Sequence, residues 1–296
     1  MIRPWPGGSP ADDQVLVKVH ACVAGGAELR ALQDGSRVTP GGAAVGTVEA
    51  TGATAFDLAG ARVVIGPIDP CGECEVCRRG QTSVCPDRVV RGMTTDGALC
   101  THVLAGARWA CRIDGDLAIP GPEAALLGRE ALVAYAMYAR LGVAPGDSVA
   151  IVGDGAIAAL VRQIATARGA RIVDISEAGG PAVRVFETTG GVAGRSRAIS
   201  AIGPAARLAL VAPGIAGAAA IDALPAKRIL DTGATLFAIG GGHPDLIPEL
   251  AAMAVKGEIN LAAAAQIIGA GDLDELEAHV HRGEHDGTVP VVALSI

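Results

Sequence analysis

Aromatic residues are scarce in this chain of 296 residues, since Phe, Trp and Tyr make up only 2% of it although 50% of the residues are hydrophobic. The core must therefore be built from Ala, Val, Leu and Ile. No stripe of Lys and Arg is present, and the net charge is −7. Nucleic acid is therefore excluded as an expected partner. The length predicts about two domains.

The sequence also lacks a long hydrophobic run. The longest apolar stretch, Val211 to Ala226, is interrupted by Pro213, Asp222 and Pro225 and is too short to span a bilayer. No basic segment followed by an apolar one resembles a signal peptide at the N-terminus. Four of the seven cysteines are clustered, which fits a reducing compartment better than a disulfide framework. A cytoplasmic location without a membrane partner is therefore expected.

The clustered thiols follow the spacing C-x2-C-x2-C-x7-C and are Cys71, Cys74, Cys77 and Cys85. Two residues between thiols allow a short turn to aim both sulfurs at one tetrahedral Zn²⁺. Four thiolates fill the coordination shell, so the predicted zinc is structural and folds a loop that has no core of its own. The alternative is a set of buried or redox-active thiols without a metal.

The stretch from Asp147 to Ser176 has the pattern strand, glycine turn, helix, strand. Ser148 to Val152 is a short apolar run, and apolar residues recur at helical spacing after the turn. A second strand, Arg171 to Val173, ends at Asp174. The pattern predicts a βαβ unit.

The glycine turn of this unit matches the dinucleotide fingerprint. Gly153 allows a tight turn, Gly155 lets the backbone approach a pyrophosphate, and Ala158 allows close packing of helix on strand. An acid at Asp174 is placed to bind a ribose 2′-hydroxyl, which favours NAD(H) over its 2′-phosphorylated relative. The alternative is a tight turn that binds no nucleotide. The residues expected to contact the cofactor are Gly153, Gly155, Ala156, Ile157, Ala158, Asp174 and Thr189.

The first part of the chain is predicted to be rich in strands. Gln14 to His20 alternates apolar and polar residues as a half-buried strand does. Further strands are predicted at Ala44 to Ala50, Ala61 to Ile65 and Leu99 to Leu104. Glycine-rich turns separate them, so this part is expected to form an all-β unit.

The strand VLVKVHAC, the cysteine-rich lobe and the run VAIVGDGAIA together resemble the zinc-containing alcohol dehydrogenases of the medium-chain dehydrogenase/reductase family. The resemblance implies an α/β protein with a GroES-like β-barrel, a Rossmann domain and a cleft between them for hydride transfer. It implies a GroES-like domain at 1–120 with the lobe at 71–85, a Rossmann domain at 121–260, and a return of 261–296 to the first domain. A homodimer or homotetramer, paired through the strand near Ala234 to Ile239, is also implied.

Members of that family that oxidise alcohols hold a second, catalytic zinc. The resemblance places its ligands at Gly25, Gly42 and Gly128, with Ala27 and Ala43 at neighbouring functional positions. Glycine and alanine offer no side-chain donor, so these positions cannot bind Zn²⁺. One zinc per chain, in the lobe, is the expectation.

The Rossmann domain is predicted to be shortened. After Asp174 only nine residues, Ile175 to Val183, precede the run RVFETTG. Nine residues cannot hold the helix, strand and helix that a doubly wound domain has there. The sheet is therefore expected to lose one strand on the side where adenine binds.

The polar residues predicted in the emptied pocket are Glu28, Arg129 and Glu130. The leading hypothesis is an NAD(H)-dependent oxidoreductase that acts on a small organic substrate without a catalytic zinc, for example by reducing an activated C=C or C=N bond. Alternatives are a non-redox relative, such as a cyclase, isomerase or ligand-binding protein, and an inactive structural subunit. Arg129 and Glu130 have their own alternative, a surface ion pair at a helix start.

Overall fold

The computed structural model describes residues 4–5, 7–25, 37–175, 181–211, 226–272, 276, 278 and 288–294. Among these residues no helix is long and apolar enough to cross a membrane. Glu28 lies outside the described residues.

The first part of the chain is mostly β-structure. Among the described residues its strands are β1 (Gln14–Val23), β2 (Ala43–Thr51), β3 (Arg62–Ile65), β4 (Ile68–Asp69), β5 (Val89–Val90), β6 (His102–Gly106) and β7 (Ala110–Arg112), and a short helix, α1, spans Glu75–Arg78. On β1 the side chains of Val15, Val17 and Val19 are fully buried. The strands β1, β2, β3 and β7 pair in that order, all antiparallel, and β6 pairs with the N-terminal half of β1.

Two strand boundaries differ from the sequence prediction by three residues, and the others differ by two or fewer. The first strand runs on to Val23 because its last three residues pair with both β2 and the C-terminal strand of the sheet. The strand predicted at Leu99 to Leu104 begins instead at His102. The reason is that the backbone N–H groups of 97–99 donate to the carbonyl groups of 39–41.

The connection between the domains is a helix, α2 (Glu130–Leu141), preceded by a 3₁₀ segment, Pro122–Gly128. The helix ends at Gly142, whose φ of 57° is a left-handed cap that glycine adopts without strain. Its first two turns bury Ala131, Leu132 and Ala134. The helix therefore starts where the two domains meet.

The second domain has a five-stranded parallel sheet in the order β12-β11-β10-β8-β9. Its elements are β8 (Ser148–Val152), α3 (Ala156–Ala167), β9 (Arg171–Ile172), β10 (Ala182–Glu187), α4 (Val192–Ala201), β11 (Ile202–Val211), α5 (Ala226–Thr232) and β12 (Thr235–Ile239). The sheet ends at β9 within the described part of the chain. The loss of a strand beyond β9 stays a prediction, with which this strand order is consistent.

The remaining elements return to the first sheet. They are α6 (Ile247–Val255), β13 (Ala265–Gly269) and β14 (Val289–Ala293). Strand β14 pairs antiparallel with β1, and β13 pairs parallel with β14. The largest buried cluster contains residues of both sheets, among them Val64, Ile151 and Val291, together with Leu127 of the 3₁₀ segment. Small aliphatic side chains dominate it, as the composition predicts, and together they join the two domains.

Candidate functional site

The cysteine-rich lobe brings four sulfur atoms together. The Sγ atoms of Cys71, Cys74, Cys77 and Cys85 all lie within 4.8 Å of one another. Cys74 caps α1, and its sulfur accepts a hydrogen bond from the Cys77 N–H at 3.4 Å. A tetrahedral zinc site with Zn–S bonds near 2.3 Å separates its sulfurs by about 3.8 Å. The observed separations of 3.5 Å for Cys85–Cys71 and 3.9 Å for Cys71–Cys77 fit that geometry.

The four thiols differ in their acidity. Backbone N–H groups of Glu73 and Cys74 lower the pKa of Cys71 to about 7, whereas burial raises the pKa of Cys77 to about 12. Such unequal thiols become thiolates together only when a cation balances their charge. The donor set therefore fits Zn²⁺, and the four cysteines are the residues that would hold it.

The lobe is anchored on both domains. The Trp109 indole N–H donates to the Pro70 carbonyl at 3.0 Å, just before the first cysteine. The same indole meets the His243 ring edge-on, with centroids 6.0 Å apart. A Cβ at Gly241 would lie 3.0 Å from the Ser83 Cβ, so a glycine there allows close approach of the second domain to the lobe.

The glycine turn lies at the carboxyl end of β8. Gly153 has a φ of 124°, which favours glycine, and a Cβ there would collide with the Thr188 hydroxyl. Gly155 is the extended N-cap of α3, and Ala156 and Ala158 are buried on the first turns of the helix. The free N–H groups at this helix start are a site for phosphate. The turn therefore fits a dinucleotide.

The loop after β10 forms the other wall of the turn. The Glu187 side chain is fully buried, and its Oε1 accepts hydrogen bonds from the Thr189 N–H at 2.8 Å, the Thr189 hydroxyl at 2.5 Å and the Gly190 N–H at 3.0 Å. The Thr188 hydroxyl donates to the Val152 carbonyl at 3.0 Å. Glu187 therefore holds the loop against the end of β8, while Thr189 itself is exposed.

The acid predicted to bind the ribose lies beyond a very short strand. Strand β9 has two residues, which pair with Ser148 and Val149 of β8. Asp174 directly follows Val173, and it is exposed. The structure thus brings the glycine turn and Thr189 together, with Asp174 on the opposite side of β8.

The three positions matched to the catalytic zinc ligands lie at the junction of the domains. Gly25, Gly42 and Gly128 are all buried. A Cβ at Gly128 would lie 3.2 Å from the Ala43 Cβ and 2.7 Å from the Ile65 carbonyl oxygen. Backbone and methyl groups therefore fill the space that larger side chains need.

The Arg129 guanidinium occupies the space at Gly25. A Cβ at Gly25 would collide with Nη2 and would lie 2.7 Å from the Arg129 Cζ. The Arg129 Nε donates to the Glu130 Oε1 at 2.6 Å, and the two side chains are 20% and 5% exposed. The pair stands at the start of α2 and is largely buried, so it is not a surface ion pair. Sequence reasoning named Arg129 but not its contact with Gly25, more than a hundred positions away.

Comparisons with known proteins agree with this architecture. Residues 11–115 match the family described as the alcohol dehydrogenase GroES-like domain. The probable alcohol dehydrogenase AdhA of Mycobacterium tuberculosis is 31% identical over 254 residues, which are 81% of this chain and 70% of the relative. Alcohol dehydrogenase 1 of Emericella nidulans is 31% identical over 183 residues, and the match covers 57% of this chain and 51% of the relative.

A solved structure shares the fold over nearly the whole chain. The alcohol dehydrogenase of Escherichia coli CFT073 complexed with NADH superposes with a TM-score of 0.83 at 16% identity, covering 97% of this chain and 94% of its own. Together with the identity to AdhA and the GroES-like match, these findings show that the chain belongs to the zinc-type, alcohol dehydrogenase-like medium-chain dehydrogenases/reductases.

Proposed function

We propose that this protein is an NAD(H)-dependent oxidoreductase that transfers hydride to or from a small organic substrate without a catalytic zinc. The observation that carries the proposal is the Arg129 guanidinium at Gly25. A fixed cation stands at the position where the resemblance places a metal ligand. The relatives are named as alcohol dehydrogenases, which are oxidoreductases. The proposal therefore concerns how this chain carries out hydride transfer.

The chemistry of the matched positions supports a site without metal. Zn²⁺ in proteins is bound by thiolate, imidazole and carboxylate groups. Gly25, Gly42 and Gly128 carry none of these groups. The arginine beside them also repels a dication, because its guanidinium keeps its charge at any physiological pH.

The cofactor assignment is supported by the glycine turn. Gly153 allows the turn to pack against Thr188, Gly155 begins α3, whose first N–H groups can bind a phosphate, and the loop held by Glu187 closes the other side. The structural neighbour from Escherichia coli was solved with NADH. When bound, the nicotinamide supplies or accepts a hydride.

Arg129 would stabilise charge on the substrate. When hydride adds to the β-carbon of an enone, the C=C π electrons form a new double bond from the α-carbon to the carbonyl carbon, and the carbonyl π electrons move to the oxygen. The enolate then takes a proton from water at its α-carbon. A donor preorganised beside that oxygen stabilises the negative charge as it develops. Glu130, bonded to the Nε of Arg129, holds the guanidinium in one orientation. A cation in this place favours an activated C=C bond conjugated to a carbonyl over a C=N bond, because an iminium is itself positive.

The test combines binding with turnover. The purified chain is titrated with NADH and NADPH and followed by nicotinamide fluorescence, and it is then assayed with a panel of α,β-unsaturated aldehydes and ketones at 340 nm. We expect saturable binding that favours NADH, and reduction of at least one enone. Arg129→Met should lower kcat by about 10²-fold or more, as loss of an oxyanion donor does, with the Kd for NADH unchanged. Arg129→Lys should retain part of the rate.

Two results would contradict the proposal. Two zinc ions per chain would restore the metal mechanism, and an Arg129→Met variant with unchanged kcat would remove the role of the cation.

The short second sheet, in which β9 is the outermost described strand, favours a second candidate, a non-redox relative that uses the same cleft for cyclisation, isomerisation or ligand binding. An inactive subunit is the third candidate. Absence of NADH binding would favour these over a reductase.

We also propose that the chain forms a homodimer or homotetramer through β12. This strand lies at the edge of the second sheet and presents the exposed Thr235 and Ala238. Two guanidinium groups, from Arg140 and Arg207, lie 5.2 and 4.9 Å from the Phe237 ring and flank the edge. Light scattering of the protein as it elutes from a size-exclusion column measures its mass directly. A monomeric mass would contradict the proposed homodimer or homotetramer.

A further inference from the structure

The two halves of the second sheet are unequal. A dinucleotide-binding sheet is built from two mononucleotide-binding halves that meet where the strand order reverses. Here the order reverses between β8 and β10. On one side stand three strands and two helices, from β10 to β12. On the other side, next to β8, β9 is the only strand among the residues that the structure describes.

Strand β9 stops early. Its two residues, Arg171 and Ile172, pair with the first two residues of β8, and the Val173 N–H makes one more bond to the Val149 carbonyl at 2.8 Å. If that register continued, Asp174 would come level with Ile151, two residues before the glycine turn. The acid therefore leaves the sheet before the level at which the phosphates are held.

Little chain is left between β9 and β10 for a connection that carries a helix. A parallel connection that carries a helix needs a dozen or more residues. Nine residues separate Ile172 from Ala182, where β10 begins. Because β9 ends near the level at which β10 starts, nine residues can pass directly from one to the other. No length remains for the third strand and second helix of the adenosine half.

The nicotinamide half keeps its parts. Strands β10, β11 and β12 pair in register over 184–187, 207–211 and 235–239. The loop after β10 is fixed by the three hydrogen bonds to the Glu187 Oε1 and by the bond from the Thr188 hydroxyl to β8. This side of the cleft is therefore preorganised, and preorganisation is what retains affinity.

We infer that this chain recognises its cofactor through the nicotinamide mononucleotide half, so that the adenosine half adds little to binding. The inference rests on the proposed function and goes beyond it by naming the part of the cofactor that is recognised. Asp174, which the sequence motif assigns to the adenosine ribose, then contributes little affinity.

The experiment compares four nucleotides on the full chain by calorimetry: NADH, reduced nicotinamide mononucleotide, AMP and ADP-ribose. The reduced mononucleotide is expected to bind within about threefold of NADH, a difference far below one factor of ten in Kd. AMP and ADP-ribose should fail to displace either reduced nucleotide. The displacement measurement needs no substrate and no turnover.

Two matched variants locate the contacts. Asp174→Asn should leave both reduced nucleotides within about twofold of the wild type, whereas Thr189→Val, which removes one bond to Glu187, should weaken both by the same factor, about tenfold. Melting curves of both variants report whether the fold is kept.

The outcomes separate the two claims. If NADH binds more than about thirtyfold tighter than the mononucleotide and AMP displaces it, the adenosine half is used, and the inference is overturned while the proposed function stands. The inference would also be overturned if the Asp174→Asn variant lost binding of the reduced nucleotides while the Thr189→Val variant kept it. If no reduced nucleotide binds, the proposed function and the inference are overturned together.

Discussion

Two regions of the molecule differ in the side chains that they offer to a metal ion. The lobe places four sulfurs within 4.8 Å of one another. The pocket at Gly25, Gly42 and Gly128 places no donor side chain at the matched positions and is closed by Arg129. The lobe site would serve folding, whereas the pocket site would serve chemistry. The lobe therefore offers four donors, whereas a guanidinium lies where a side chain at position 25 would be.

The lobe and the pocket differ in what stabilises their folded structure. A loop with almost no core depends on its metal for its fold, because metal binding supplies the folding free energy that buried apolar groups cannot. The pocket has other sources of stability: Ala43, Val64 and Leu127 are fully buried around it. A change of side chains there can therefore alter the chemistry of the pocket without unfolding the protein.

The largest effect is expected in the lobe. Cys85→Ser should reduce bound zinc from one per chain to less than about 0.1 and should unfold the lobe, because structural zinc contributes on the order of 10 kcal/mol in small zinc-dependent folds. Elemental analysis and the melting temperature measure the two effects. Cys100→Ser, a buried cysteine outside the cluster, is the control and should keep the zinc. Zinc retained in Cys85→Ser would show that the metal lies elsewhere.

A smaller effect is expected at the pocket. Gly25→Ala should push the Arg129 guanidinium out of place and cost about 1–3 kcal/mol, as overpacking of a core does. Turnover should fall with little change in the Kd for NADH, and zinc content should stay at one per chain. Gly271→Ala, where a Cβ meets nothing within 4 Å, is the matched control. Unchanged stability and turnover in Gly25→Ala would show that Arg129 does not fill this space.

The smallest effect concerns the strand that leads into the pocket. Burial, with the charges of Arg62 and Lys18, lowers the pKa of His20 on β1, so the folded state disfavours its protonated form. Stability should therefore fall as the pH drops below the unfolded pKa near 6.5 and level off below the folded pKa. His20→Asn should reduce this acid-side fall in melting temperature by about 1–2 °C. If His20→Asn has the same pH profile as the wild type, other groups cause the acid-side fall in melting temperature. The zinc content should be the same in the wild type and in the variant.

The parts of this structure that sequence could predict are those in which neighbouring residues determine the geometry. The strand Ser148–Val152, the glycine turn after it and the start of α3 follow from local pattern and were found as expected. The prediction of a shortened sheet rests on chain length alone, since nine residues cannot hold a helix, a strand and a second helix. The cysteine spacing likewise predicted the cluster.

Contacts between distant residues were not predictable in the same way. The Arg129 side chain meets Gly25 only because β1 and the segment before α2 are brought together by the barrel. Neither residue carries a local pattern that indicates the other. The hydrogen bonds of 97–99 with 39–41, which delay the start of β6, depend on the same kind of long-range proximity.

The contact of Arg129 with Gly25 also limits the routes by which this protein can evolve. A cysteine at position 25, the first step back toward a metal ligand, has no space while the arginine is present. The arginine must first be replaced by a smaller residue, and that step leaves the buried Glu130 carboxylate without its partner at Nε. Two coupled substitutions are therefore needed before a larger side chain can stand at position 25, so neither position can change independently of the other.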